Sequence, residues 1–139
     1  MLNTIALEHL KKERWAIGTG LSLFILKDKG LPEENILVAQ LNYWQGLKWQ
    51  QRYDEIKKEV EQADYRAKDE RFQIGLLALA DRFDQFYKLL PSVYQNGKIK
   101  AEDLISWPIF REIRKQSEFV SFKEKFKAEF EAAELRVQD

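Results

Sequence analysis

Displaced by 30 positions, the sequence lies over itself. Leu47-Lys-Trp-Gln-Gln-Arg-Tyr-Asp-Glu-Ile56 falls on Leu77-Ala-Leu-Ala-Asp-Arg-Phe-Asp-Gln-Phe86. Arg52 then meets Arg82, Tyr53 meets Phe83, Asp54 meets Asp84, Lys58 meets Lys88 and Val60 meets Leu90. Each unit reads as an apolar helix, a tight turn with an aromatic after arginine, and an amphipathic helix. Such a unit cannot cover its own apolar face, so neighbouring units must stack and share one elongated core.

The apolar spacing inside the units is helical. Tyr53, Ile56, Val60 and Ala63 recur at steps of three and four, as do Phe83, Phe86, Leu90 and Val93, and further on Phe119, Phe122, Phe126, Phe130 and Ala133. These are single stripes on otherwise polar helices. Ile36 to Leu47 and Phe72 to Ala80 differ: apolar residues cover most of their circumference, which requires cover on several sides. No stretch keeps a period of two, so the chain reads as helix throughout.

Turn residues divide it. Gly30 and Pro32 mark a stop and a start, with Glu33 and Glu34 suited to the positive end of the next helix dipole. Asn96-Gly97 is a second turn, Ser106-Trp107-Pro108 is a third start, and Pro91 is expected to interrupt the helix that contains it. Ile17-Gly18-Thr19-Gly20 lacks the third glycine and the preceding strand of a dinucleotide loop. It reads either as close helix packing or as a break between two short helices.

These units resemble degenerate tetratricopeptide repeats, whose turn carries an aromatic followed by acidic residues, as Tyr53-Asp54-Glu55 and Phe83-Asp84-Gln85 do. Leu104 to Phe119 is similar to a segment that often closes such arrays in bacterial proteins. The spacing departs from the 34 residues of that family, and its small residues at helix crossings are only partly present. The resemblance spans roughly residues 33 to 126. It implies an all-α fold of six or seven helices: antiparallel hairpins stacked as a short solenoid, with a C-terminal capping helix. One domain is expected over 1–139, with repeat units at about 33–64 and 69–95 and a cap at about 101–137. By the same resemblance the partner would be a protein or peptide.

Composition narrows the chemistry. With 139 residues, 45% hydrophobic and 33% charged, the chain is the size of one globular domain. It has no cysteine and one histidine, so disulfides, thiol chemistry and Cys/His zinc sites are excluded by arithmetic. A cytoplasmic setting fits that lack of cysteine. Zero net charge gives no overall field toward nucleic acid or an anionic membrane. The apolar run from Trp15 to Leu26 is too short to span a bilayer and reads as a buried helix.

Catalysis finds little to use. His9 reads as an exposed residue on the polar side of the first helix, and one histidine cannot supply the paired Glu-x-x-His of a di-iron bundle. Glu33/Glu34 and Asp81/Asp84 sit where helix starts and turns favour carboxylates for structural reasons. No enzyme, cofactor or metal is expected.

The surplus of aromatics points to binding. Stacked pairs create a concave face that takes peptides or helices, and Tyr43, Trp44, Lys48 and Gln73 are its candidate lining. Alternatively, the Phe119, Phe122, Phe126 and Phe130 stripe pairs with a second copy. The weakest alternative is nucleic-acid contact through Arg111, Arg114, Lys115, Lys123, Lys125 and Lys127, whose field is offset by Glu112, Glu118, Glu124 and Glu129.

Overall fold

Three helices in this chain end in the same way. The first residue past each cap has left-handed backbone without being glycine: Glu13 (φ 61°), Gln51 (φ 63°) and Asp81 (φ 57°). The arginine that follows donates its amide five residues back, Arg14 to His9 O at 2.8 Å, Arg52 to Leu47 O at 2.9 Å and Arg82 to Leu77 O at 3.0 Å. The left-handed residue itself donates three back, to Leu10, Lys48 and Ala78 O. This double bond pattern is the Schellman motif, which satisfies the last carbonyls of a helix and turns the chain sharply. An aromatic (Trp15, Tyr53 or Phe83) then opens the return segment. The third such turn, at Glu13–Trp15, lies 38 positions before the second, outside the 30-residue register that exposed the other two.

The computed structural model describes residues 1–137, which hold nine α-helices and no strand. They divide into two compact units, Met1–Ala67 and the residues from Lys68 onward. The boundary falls between the repeat units read at 33–64 and 69–95.

In the first unit, α1 (Leu2–Lys11) and α2 (Trp15–Leu26) form a hairpin against which α3 (Glu33–Trp49) packs. A 3-10 turn at Tyr53–Glu55 and the short α4 (Lys57–Gln62) follow, so the expected single stripe from Tyr53 to Ala63 is broken after its first turn. Ile56 and Val60 are nonetheless buried.

Glycine explains how closely the first three helices approach. A β-carbon on Gly18 would stand 2.6 Å from Leu10 and 3.0 Å from the Ala6 carbonyl; one on Gly46 would stand 2.0 Å from Thr19 Oγ1. Gly18 thus admits α1, and Gly46 lets α3 close on α2. The Gly18-Thr19-Gly20 segment is continuous helix and, at Gly18, close packing. From Asn35 to Gln50 no residue is exposed, as the all-round apolar pattern of α3 requires.

In the second unit, α5 (Glu70–Leu79) is capped by Asp69, whose carboxylate accepts the Arg71 amide at 3.1 Å. The amphipathic α6 (Phe83–Gln95) runs unbroken through Pro91. Pro91 is exposed, so its ring lies on the solvent side and the expected interruption does not occur. After Gly97 (φ 71°) come α7 (Ala101–Ser106), two 3-10 turns, α8 (Ser117–Lys125) and α9 (Lys127–Val137).

The phenylalanine stripe does not lie along one helix. Backbone at Phe126 (φ −121°, ψ 40°) ends α8, and Lys123 Nζ meets Glu134 Oε1 at 2.9 Å. Eleven residues along a straight helix would separate them by about 16 Å, so α9 folds back on α8. Phe119, Phe122 and Phe130 are buried in the resulting core, and Tyr94 of α6 sits among them, 5.3 Å from Phe122 and 4.7 Å from Phe126 between ring centres.

Candidate interaction surface

Position by position, α2 is amphipathic the wrong way round. Its enclosed side holds Gly18, Thr19, Ser22 and Ile25. The two hydroxyls there are satisfied by the helix itself, Thr19 Oγ1 donating to Trp15 O at 2.6 Å and Ser22 Oγ to Gly18 O at 2.9 Å. Its solvent side holds Ala16, Ile17, Gly20, Leu23 and Phe24, an arc of about 120° at 3.6 residues per turn. Ile17 is 51% exposed and Phe24 67%. The reason lies in the packing: α1 closes on α2 at Gly18 and α3 closes on it at Thr19, so small side chains stand at those contacts, with Ile25 enclosed further along.

Leu2 and Ile5 of α1 are exposed as well. Cations stand at both ends of the α2 face, Lys12 and Arg14 at its start and Lys27 and Lys29 beyond its end, interspersed with Glu13 and Asp28. In general, exposed apolar patches larger than a few hundred Å² are where proteins dock partners.

Gly20 belongs to this face. A β-carbon there would meet nothing within 4 Å. Unlike Gly18 and Gly46, it is not required by any contact within the unit, yet glycine inside a helix costs about 1 kcal/mol relative to alanine.

The residues singled out by sequence fall elsewhere. Trp44 is 5% exposed and belongs to the core, so it is not available to line a groove. Tyr43 and Lys48 are half-buried on the same helix, and the Lys48 ammonium lies over the rings of Trp49 and Tyr53 at 5.1 and 5.6 Å. Gln73 belongs to the second unit, where its amide donates to Lys68 O at 2.7 Å. Phe119, Phe122 and Phe130 are interior, and Phe126 is half-buried against Tyr94. The stripe expected to face a second copy is covered by its own unit.

Arg114 is likewise structural. Its guanidinium donates to Leu104 O at 2.8 Å and Trp107 O at 2.9 Å, closing the carbonyl end of α7. Burial, with the Arg111 charge adding to it, pushes its pKa down to about 10. Lys115 and Lys123 pair with Glu112 and Glu134. The basic run is therefore largely spent on internal partners.

Sequence reasoning missed two features. Asn42 and Gln45 are both buried in α3, where Gln45 Nε2 donates to Asn42 Oδ1 at 3.0 Å. Gln45 Oε1 and Asn42 Nδ2 are enclosed without a hydrogen bond. His9, expected to be exposed, is half-buried with an enclosed Nδ1. Both follow from how close α1, α2 and α3 lie, which the apolar pattern does not encode.

Among the described residues no group of three or more His, Asp or Glu is placed to hold a metal ion, and no helix is long and apolar enough to cross a membrane. No family model, curated protein or solved structure matches the chain.

Proposed function

We propose that this chain is a cytoplasmic protein-interaction domain, a tetratricopeptide-like stack of helical hairpins that docks a protein partner on the outward face of α2. The observation that carries this reading is the apolar arc of Ile17, Leu23 and Phe24 on a helix whose hydroxyls point inward. Three hairpin turns built alike support the repeat architecture, since stacked hairpins offer their outer helix faces to partners. The docking face lies on the first hairpin rather than on the Tyr43, Trp44, Lys48 and Gln73 set, because Trp44 is enclosed.

Affinity capture from a bacterial lysate tests it, comparing wild type with Phe24→Lys and Ile17→Lys. Both positions are exposed, so the variants keep their helical circular dichroism. A protein held by wild type and lost by both variants is the expected result. A partner retained undiminished by both would place the docking face elsewhere.

A further inference from the structure

We propose that Asn96 is a site of spontaneous covalent modification, restrained by the turn that closes α6 and released when that turn opens locally. The reaction needs only water. The Gly97 amide nitrogen gives its proton to water or a buffer base and bonds to Asn96 Cγ. The Cγ–Nδ2 bond breaks, ammonia leaves, and a five-membered succinimide ring is closed. Water then opens the ring at either carbonyl, leaving aspartate or isoaspartate where the amide stood.

The sequence supplies the reactive pair. Glycine after asparagine puts no side chain beside the attacking nitrogen, and Asn96, Gly97 and Lys98 are all exposed to water. The other asparagines serve as internal controls. Asn3, Asn35 and Asn42 precede Thr4, Ile36 and Tyr43 inside α1 and α3, where side chains crowd the next nitrogen and the helix fixes it.

Geometry restrains the pair in the folded chain. Attack requires the Gly97 nitrogen to lie on the side of the Asn96 β-carbon. At the observed ψ of 1° it eclipses the Asn96 nitrogen instead. The Gly97 amide is also engaged, donating to Tyr94 O at 3.1 Å, and Lys98 donates to Val93 O at 3.1 Å. This is the Schellman pattern again, with Gly97 as its left-handed residue (φ 71°). The turn must open before the ring can close.

That opening is local. Residues 95–98 are exposed, whereas Val93 and Ile99 on either side are 0% and 1% exposed, so the segment unfastens between two buried anchors. Lys98 Nζ meets Asp69 Oδ2 at 3.1 Å, but an ion pair this open to water adds little to closure. Modification then alters the turn. A carboxylate at residue 96 stands at the negative end of the α6 dipole, and isoaspartate lengthens the main chain inside the ring of bonds that closes the helix.

The test incubates the full chain at mildly alkaline pH, folded and, in parallel, unfolded in guanidinium chloride. Trypsin then releases peptide 89–98, whose mass reports amide loss and whose chromatography separates the aspartate and isoaspartate products. Loss is expected in this peptide, in both product forms, about tenfold to a thousandfold slower folded than unfolded. The folded rate should stay flat at guanidinium concentrations below the unfolding transition, because a local opening exposes little surface. Asn96→Gln, which could close only a slower six-membered ring, should keep its amide over the same period. Equal rates in the folded and unfolded chains would show that the turn restrains nothing and overturn the inference. So would a folded rate lower by about 10⁴-fold or more, the size of global stability, or one that climbs with denaturant below the transition. Loss at Asn3, Asn35 or Asn42 with Asn96 intact would overturn the site itself.

Discussion

Gly46 of α3 rests directly on Thr19 of α2: a β-carbon on the glycine would fall 2.0 Å from the threonine hydroxyl. Gln50 fastens the contact, its amide donating to Thr19 Oγ1 at 3.1 Å and to Gly46 O at 2.9 Å. Glycine to alanine inside a helix ordinarily stabilises by about 1 kcal/mol. Here the added methyl has no space, and overpacking of this kind costs roughly 1–3 kcal/mol. Gly46→Ala should therefore lower the urea midpoint instead of raising it. Thr19→Ala in the same chain should recover part of the loss, since it removes the atom in the way. A stabilised Gly46→Ala would mean that α2 and α3 lie further apart.

The hairpin turns carry the opposite opportunity. Gln51 holds φ 63° with an exposed side chain, a conformation that costs an L-residue about 1 kcal/mol and glycine almost nothing. Gln51→Gly is expected to stabilise by up to ~1 kcal/mol, less the extra freedom glycine brings to the unfolded chain. Gln51→Val, branched at the β-carbon, should destabilise by more than that. Chemical denaturation of the three proteins orders them, and a loss for glycine equal to that for valine would contradict the turn.

What could be read in the sequence was helix, and the reason is periodicity. Phe86, Leu90 and Val93 recur at helical steps and are all buried. Asn96-Gly97 signalled a turn because glycine supplies positive φ cheaply, and Gly97 indeed has it. The turn at Glu13–Trp15 went unread because glutamate in left-handed backbone gives no such signal. Lys125-Phe126-Lys127 hid the break between α8 and α9 for a related reason: the apolar spacing runs straight through it. The outward face of α2 was the hardest to foresee. A run of apolar residues reads as a buried helix, and only the small contacts at Gly18 and Gly46 decide which side is enclosed.

The amide pair of α3 gives a test in which one change is worse than two. Gln45 Nε2 spends its bond on Asn42 Oδ1 at 3.0 Å. Asn42→Ala strands that donor in the interior, and an unmet buried polar group costs about 1–3 kcal/mol. Replacing both residues by apolar ones of similar volume, Asn42→Leu with Gln45→Met, removes the unmet groups together and should return most of the loss. Thermal melts of the single and double variants decide it. A double variant less stable than Asn42→Ala would show that the pair is held by bonds it makes elsewhere.

Two buried phenols should ionise late as pH rises. Burial pushes Tyr65 up to about 12. Tyr87 is also pushed up to about 12, by burial first and then by the Glu118 charge. The Tyr87 hydroxyl donates to Gln116 Oε1 at 2.7 Å, a bond that its phenolate cannot make. In the unfolded chain both phenols ionise near pH 10. A pKa raised by folding contributes stability that is whole below pH 10 and is lost as pH climbs through 12. For Tyr65 the loss reaches on the order of 2–3 kcal/mol once the phenol is ionised in both states. Phenolate absorbance against pH should show Tyr65 and Tyr87 titrating late, with Tyr94 also raised by burial first and then by the Glu129 and Glu102 charges, and denaturant midpoints should fall across the same window. Tyr65→Phe removes one late phenol and should flatten the fall above pH 10. An unchanged alkaline slope in that variant would mean that Tyr65 is open to water in the folded chain.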